Sequence, residues 1–165
     1  MRYLDLVPKT HPTAKVFETA VVIGDVTIEE NVSVWFNATV RGDMAKVIIG
    51  KNTNIQDNAV VHTNTGLPTY IGENVTIGHS AIIHAATVKD NVLIGMGAIL
   101  LDGCVVNESA MVGAGCLVPP GKIVPARTLV VGNPMRIVRE LSDDEIKSNI
   151  ENAGHYLRLM NEYEE

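Results

Sequence analysis

The sequence predicts an all-β protein, a three-sided parallel β-helix followed by one C-terminal α-helix. Three observations carry that prediction. Aliphatic residues recur at every sixth position, through Val16, Val22, Ile28, Val34 and Val40, then Ile49, Ile55 and Val61, then Ile71, Ile77 and Ile83, and from Val88 on to Val124. A glycine follows many of them, as in IGKN, IGEN, IGHS and VGAG, and reads as a tight turn of the backbone. The 165 residues are 46% hydrophobic and only 4% aromatic, so the core is aliphatic. A period of six belongs neither to a helix nor to an alternating strand, and three such sides make a coil of about 18 residues.

Taken in order, residues 1–130 form the β-helix domain and 131–165 a connecting segment and helix. In each repeat the inward aliphatic residue is position one, the second residue faces outward, the third and fourth turn the corner, and a small fifth residue fills it. The period breaks three times. Val40 to Ile49 and Val61 to Ile71 carry extra residues, read as two small loops, the second around GLPT, and Ile83 to Val88 is one residue short. After Val124 the repeat fades, and Gly132, Asn133 and Pro134 mark a turn. Ser142 and Glu145 form a capping box, and Ile146, Ile150, Ala153 and Leu157 recur at helical spacing, predicting an amphipathic helix over 142–163 that packs on a coil face or on a neighbouring subunit.

Composition removes several classes of function. The 13 basic and 19 acidic residues leave a formal charge of -6 with no basic cluster, so a nucleic-acid partner is excluded. MRYLDLVPKTHP is not a charged-then-apolar leader, and VLIGMGAILL is too short to span a bilayer, which predicts a cytoplasmic protein without a membrane partner. Cys104 and Cys116 occupy the small corner slot also held by Ala98 and Ala110, and read as buried free thiols. Trp35, an outward-facing aromatic, reads as a subunit contact.

The stretch from His62 to His84 carries the chemistry. Both are second-position residues, separated by one coil plus a four-residue loop, so one stacks on the other at the strand spacing of about 4.8 Å. Tetrahedral zinc needs ligand nitrogens about 3.4 Å apart, which two such imidazoles reach by converging slightly. His79 sits at the corner that opens the side carrying His84, and five extended residues hold the two about 16 Å apart. One chain therefore cannot close a three-histidine site, whereas in a ring of copies His79 of one subunit can complete the site of the next. Neutral imidazoles suit zinc, with iron(II) or cobalt as alternatives. His11 and His155 lie outside the pattern.

The segments SVWFNATVRGD, NIQDNAVVH and IGHSAIIH resemble the γ-class carbonic anhydrases, and residues 11–130 resemble hexapeptide-repeat proteins generally. The resemblance implies a left-handed coil, a homotrimer, and zinc or iron held between subunits by His62, His79 and His84. It also implies a subunit-bridging role for Arg41 and Asp43 with Asp57 as acidic partner, and a site lined by Asn54 and Gln56. The spacings agree, since Arg41 lies one coil plus an insertion before His62, and Asp57 likewise before His79. The expected activity is a lyase reaction, hydration of carbon dioxide to bicarbonate by a metal-bound hydroxide. Gln56 is expected to orient that hydroxide, Asn54 to polarise the substrate, and Tyr156 to contribute to the pocket. The sequence departs from the best-known enzyme pattern at Met44, where that pattern has glutamate, and in the uncharged HTNTGLPTY turn, where it has an acidic proton-relay loop. The competing readings are a non-catalytic metal-binding scaffold, a thioester or ester hydrolase and a hexapeptide acyltransferase.

Overall fold

The computed structural model describes residues 1–163. Short parallel strands wind into a left-handed β-solenoid of about seven turns, and one helix lies across it. The inward residues stack in three columns: Ile55, Ile77, Ile94 and Val112 on one face; Val40, Val61, Ile83, Leu100 and Val118 on the next; Ile49, Ile71, Val88, Val106 and Val124 on the third. All of them are buried. Each such side chain contributes about 1.5–3 kcal/mol on leaving water, so the six-residue period is itself the source of the core. Val16, the first of the series, stays exposed because it lies at the open end of the stack.

The glycines after the aliphatic positions are there for a different reason from the one the sequence implies. Gly50 and Gly95 do not have positive φ. A Cβ on Gly50 would lie 2.6 Å from the Gly72 carbonyl carbon, and one on Gly95 would lie 2.5 Å from the Ala114 nitrogen, so close stacking of coils selects glycine there. The left-handed turn falls two residues later, on Asn52, Asn74, Asn91 and Gly97, with φ from +54° to +66°. At one corner Asn31, Asn52, Asn74 and Asn91 form a ladder in which each Nδ2 donates to the next Oδ1 at 3.1–3.2 Å.

The first break in the period is not a loop. Thr39–Ile49 is one continuous strand paired with Val21–Ile28, with a register shift between Gly24 and Val26. The extra residues are absorbed into a bend that joins two faces into one sheet, and Gly24 (φ +87°) lies against Gly42, where a Cβ would meet the Gly42 oxygen at 2.3 Å. The second break does loop out, closed by a bridge between Asn64 and Leu67. Beyond the coil, Thr128–Val131 turns back through Gly132 into Arg136–Glu140, which pairs with it antiparallel.

The helix runs Asp143–Met160, four residues shorter than the expected 142–163, and starts at the Ser142/Glu145 capping box. Arg139 grips Glu145 at 2.7 and 2.8 Å and, with the Ser142 amide, holds its carboxyl down to about 2. The helix packs on the face formed by Ser33–Val34, Asn54–Ile55 and Thr76–Ile77 of its own chain. Ile146, Ala153 and Met160 point inward, while Ile150, which the spacing places in the same row, is 39% exposed. Trp35 is therefore not a subunit contact: it is only 3% exposed, stacked on Phe17 at 4.5 Å, edge-on to Tyr156 at 5.5 Å and clustered with Met160. Among the described residues no helix is long and apolar enough to cross a membrane.

Cys104 and Cys116 are free and buried. Burial pushes the Cys104 thiol up to about 12, which leaves almost no thiolate at pH 8. Iodoacetamide at pH 8 is expected to label neither cysteine in the native protein and both after denaturation, as read by intact mass; rapid native labelling would contradict the packing.

Candidate metal centre

The strands Val60–His62 and Ile82–His84 are adjacent, with His84 directly opposite His62. The rings sit 5.1 Å apart between centroids, and His62 Nδ1 faces His84 Nε2 at 3.2 Å. Each ring is also held from its far side. His62 Nε2 donates to Asp43 at 2.9 Å, and His84 Nδ1 donates to Asp102 at 2.5 Å. A carboxylate only accepts, so in the neutral rings both N–H bonds point away from the gap and two nitrogen lone pairs meet across it. The nearest donor to them is Arg41, whose Nη2 lies 3.4 Å from His62 Nδ1 while its Nη1 pairs with Asp43. Burial works to raise the Asp43 carboxyl, but the His62 and Arg41 hydrogen bonds outweigh it and leave the group below the ordinary carboxylate range. Asn64 and His84 lower Asp102 in the same sense.

The other expected residues gather at a second place. Asn54 and Gln56 lie on the helix-covered face, and His79 at the corner beyond it. His79 Nδ1 pairs with Asp57 at 2.9 Å, and its Nε2 has no hydrogen-bond partner among the described residues. Gln56 Nε2 donates to Asn54 Oδ1 at 3.0 Å, and Gln56 Oε1 accepts the His79 backbone N–H at 3.1 Å. Asn54 Nδ2 donates to Thr76 Oγ1 at 3.1 Å, and Asn152 of the helix donates to the same hydroxyl at 3.1 Å. Gln56, His79, Asn152 and Tyr156 border a cleft of about 390 Å³ with Met96 and Met111 on its apolar wall. Burial, with help from the Asp57 charge, raises the Tyr156 phenol above its usual value.

The structure thus sorts the expected residues into two clusters, Arg41, Asp43, His62 and His84 on one face and Asn54, Gln56, Asp57, His79 and Tyr156 on and around the other. Among the described residues no three His, Cys, Asp or Glu side chains converge on one point within the chain. Two participants were missed in the sequence. Asp102 lies one coil after His84, just beyond Leu101, and reads there as the aspartate of a DG turn; Asn64 reads as loop. The chain spacing from His84 to Asp102, the same as one coil, was the available signal.

A coil of this kind, with three histidines each tied to a carboxylate, defines a hexapeptide-repeat protein of the left-handed β-helix class. No protein-family model matches the chain. It is 52% identical over 145 residues to a probable carbonic anhydrase of Methanocaldococcus jannaschii, covering 88% of this chain and 91% of that relative. It is 44% identical over 165 residues to the mitochondrial gamma carbonic anhydrase 2 of Arabidopsis thaliana, covering 96% of this chain and 59% of the plant protein. A solved hexapeptide transferase family protein from Anaplasma phagocytophilum superposes with a TM-score of 0.95 at 41% identity, over 99% of this chain and 96% of that one. The chain belongs to the gamma carbonic anhydrase family.

Proposed function

We propose that this protein hydrates carbon dioxide to bicarbonate as a homotrimer, with each metal centre shared between two copies. The observation that carries the reading is the pair of histidine ring nitrogens facing each other at 3.2 Å, with the far nitrogen of each ring held by a carboxylate, Asp43 or Asp102, so that the neutral rings turn two lone pairs toward one another. Such a pair calls for a cation between its members, and carboxylate-backed imidazoles are what metal sites use to fix ring orientation. His62 and His84 of one chain and His79 of the next would hold the ion, and zinc suits three neutral imidazoles. When bound, it supplies an acidified water as the nucleophile toward carbon dioxide.

The rest is the work of the chain. Val60, Ile82, Ile99 and Leu117 form an apolar outward ladder beside the two histidines, the surface on which a second copy would seat its His79 corner. Arg41 would pair across that contact with Asp57, in addition to its own Asp43. Gln56 is pre-set by Asn54 and by the His79 amide, so its side chain cannot drift from the histidine it accompanies; it would orient the reacting oxygen, with Asn54 as its support and Tyr156 as the wall. Three carboxylate-held histidines are more than an acyltransferase needs, since that chemistry uses one histidine as a base.

Metal analysis of anaerobically purified protein, combined with stopped-flow hydration of carbon dioxide, tests the reading. One metal per chain and measurable hydration are expected; metal without hydration would leave a scaffold or a hydrolase, and absence of metal would overturn the centre. A second outcome concerns the proton. Met44 and the uncharged 63–68 loop offer no relay, so turnover at saturating substrate is expected to rise with the concentration of an imidazole-type buffer. Turnover independent of buffer would mean that another internal group carries the proton.

A further inference from the structure

We infer that Asp102, braced by Asn64, is the positioning residue for His84. The two oxygens of its carboxylate have separate tasks. Oδ1 accepts from His84 Nδ1 at 2.5 Å, and Oδ2 accepts from Asn64 Nδ2 at 2.7 Å. The brace is itself fixed: Asn64 Oδ1 accepts the Thr65 backbone N–H at 2.8 Å, and its main chain is bridged to Leu67. The four-residue loop that interrupts the repeat after His62 therefore has an assignment. It carries Asn64 across two coils to hold the carboxylate that holds the second histidine.

The geometry has a chemical consequence. A carboxylate cannot donate, so an imidazole bound to it through Nδ1 carries its proton there and keeps Nε2 as a lone pair. Without Asp102 the neutral ring is free to move its proton to Nε2 and to rotate, and the lone pair opposite His62 is no longer guaranteed. Asp102 sits at the rim, its side chain 31% exposed, so its replacement leaves the aliphatic core untouched. Ile82, Ile99, Leu101 and Pro120 line the cleft around the pair and supply no other polar partner for Nδ1.

The inference rests on the metal-centre reading for the ion that uses the lone pair, but its primary readout does not. Long-range proton–nitrogen correlation spectra of metal-free protein at pH 8 report which nitrogen of His84 is protonated. The wild type is expected to show Nδ1–H, Asp102→Ala a mixture of tautomers, and Asp102→Asn the opposite tautomer, Nε2–H, because its single amide oxygen accepts from Asn64 Nδ2 and its NH2 then donates to His84 Nδ1. Titration with cobalt(II) and competition with zinc should then show the dissociation constant raised about 10–100-fold in Asp102→Ala, at least as much in Asp102→Asn and less in Asn64→Ala. An unchanged His84 tautomer in Asp102→Ala would overturn the assignment, and so would a changed tautomer with wild-type metal affinity. If the wild type binds neither metal while the tautomer still responds to Asp102, the positioning stands and the metal centre falls. Because Asp102→Asn keeps the shape of the side chain, the comparison survives even if the alanine variant folds poorly.

Discussion

Neither His62→Ala nor His79→Ala is expected to hold zinc tightly or to hydrate carbon dioxide alone, yet an equal mixture co-refolded into trimers should recover about a quarter of wild-type metal and activity. In the hybrid, an interface is complete only where the His79→Ala chain contributes His62 and His84 and the His62→Ala chain contributes His79. The expectation follows from the separation of the two clusters: the His62–His84 gap and the His79–Asp57 corner do not converge within one chain. A site built inside a single subunit could never be restored by mixing. Metal content of the mixture no higher than that of the separate variants, with hybrids confirmed by mass, would defeat the shared site.

The second large effect is on folding. Ile77 is fully buried, stacked between Ile55 and Ile94 and two residues before His79. Ile77→Ala should cost about 2–5 kcal/mol and lower Tm by roughly 10 °C, because rigid coils above and below cannot collapse into the space left behind. Ile150→Ala on the helix, where the side chain faces water, should cost under about 0.5 kcal/mol. Thermal unfolding at one fixed protein concentration distinguishes them, and equal losses would mean that the helix packs in the register its periodicity suggests rather than the one observed.

That contrast shows where sequence reading succeeds in this protein and where it stops. The columns of Val, Ile and Leu were legible because a six-residue period has one physical explanation, and the stacking of His84 on His62 followed from counting coils. The continuous strand Thr39–Ile49 was not legible: three added residues can loop out or extend a strand, and the choice depends on Val21–Ile28 opposite being long enough to pair with them. Trp35 was misplaced for a related reason, since an outward aromatic needs a cover and the sequence does not say whether the cover is another copy or the chain's own helix. Asp102 and Asn64 escaped because each looks like ordinary turn chemistry until the loop is folded across two coils. The helix row erred by Ile150, where a spacing argument admits two adjacent faces and only the aromatic cluster on Trp35 selects between them.

The position of that helix in the chain has a further consequence. The coils it covers begin at Ser33, and its last buried residue, Met160, lies about 125 residues later. At ribosomal rates of 5–20 residues per second, Phe17, Trp35 and the wall beside Gln56 wait about 6–25 s for their cover, while the successive coils stack one after another as they emerge. The His62 and His84 rungs are complete long before the surface around His79 acquires Asn152 and Tyr156. Synthesis therefore has a built-in order: the His62–His84 rungs form early, and the surface around His79 is completed last, once the helix has been made.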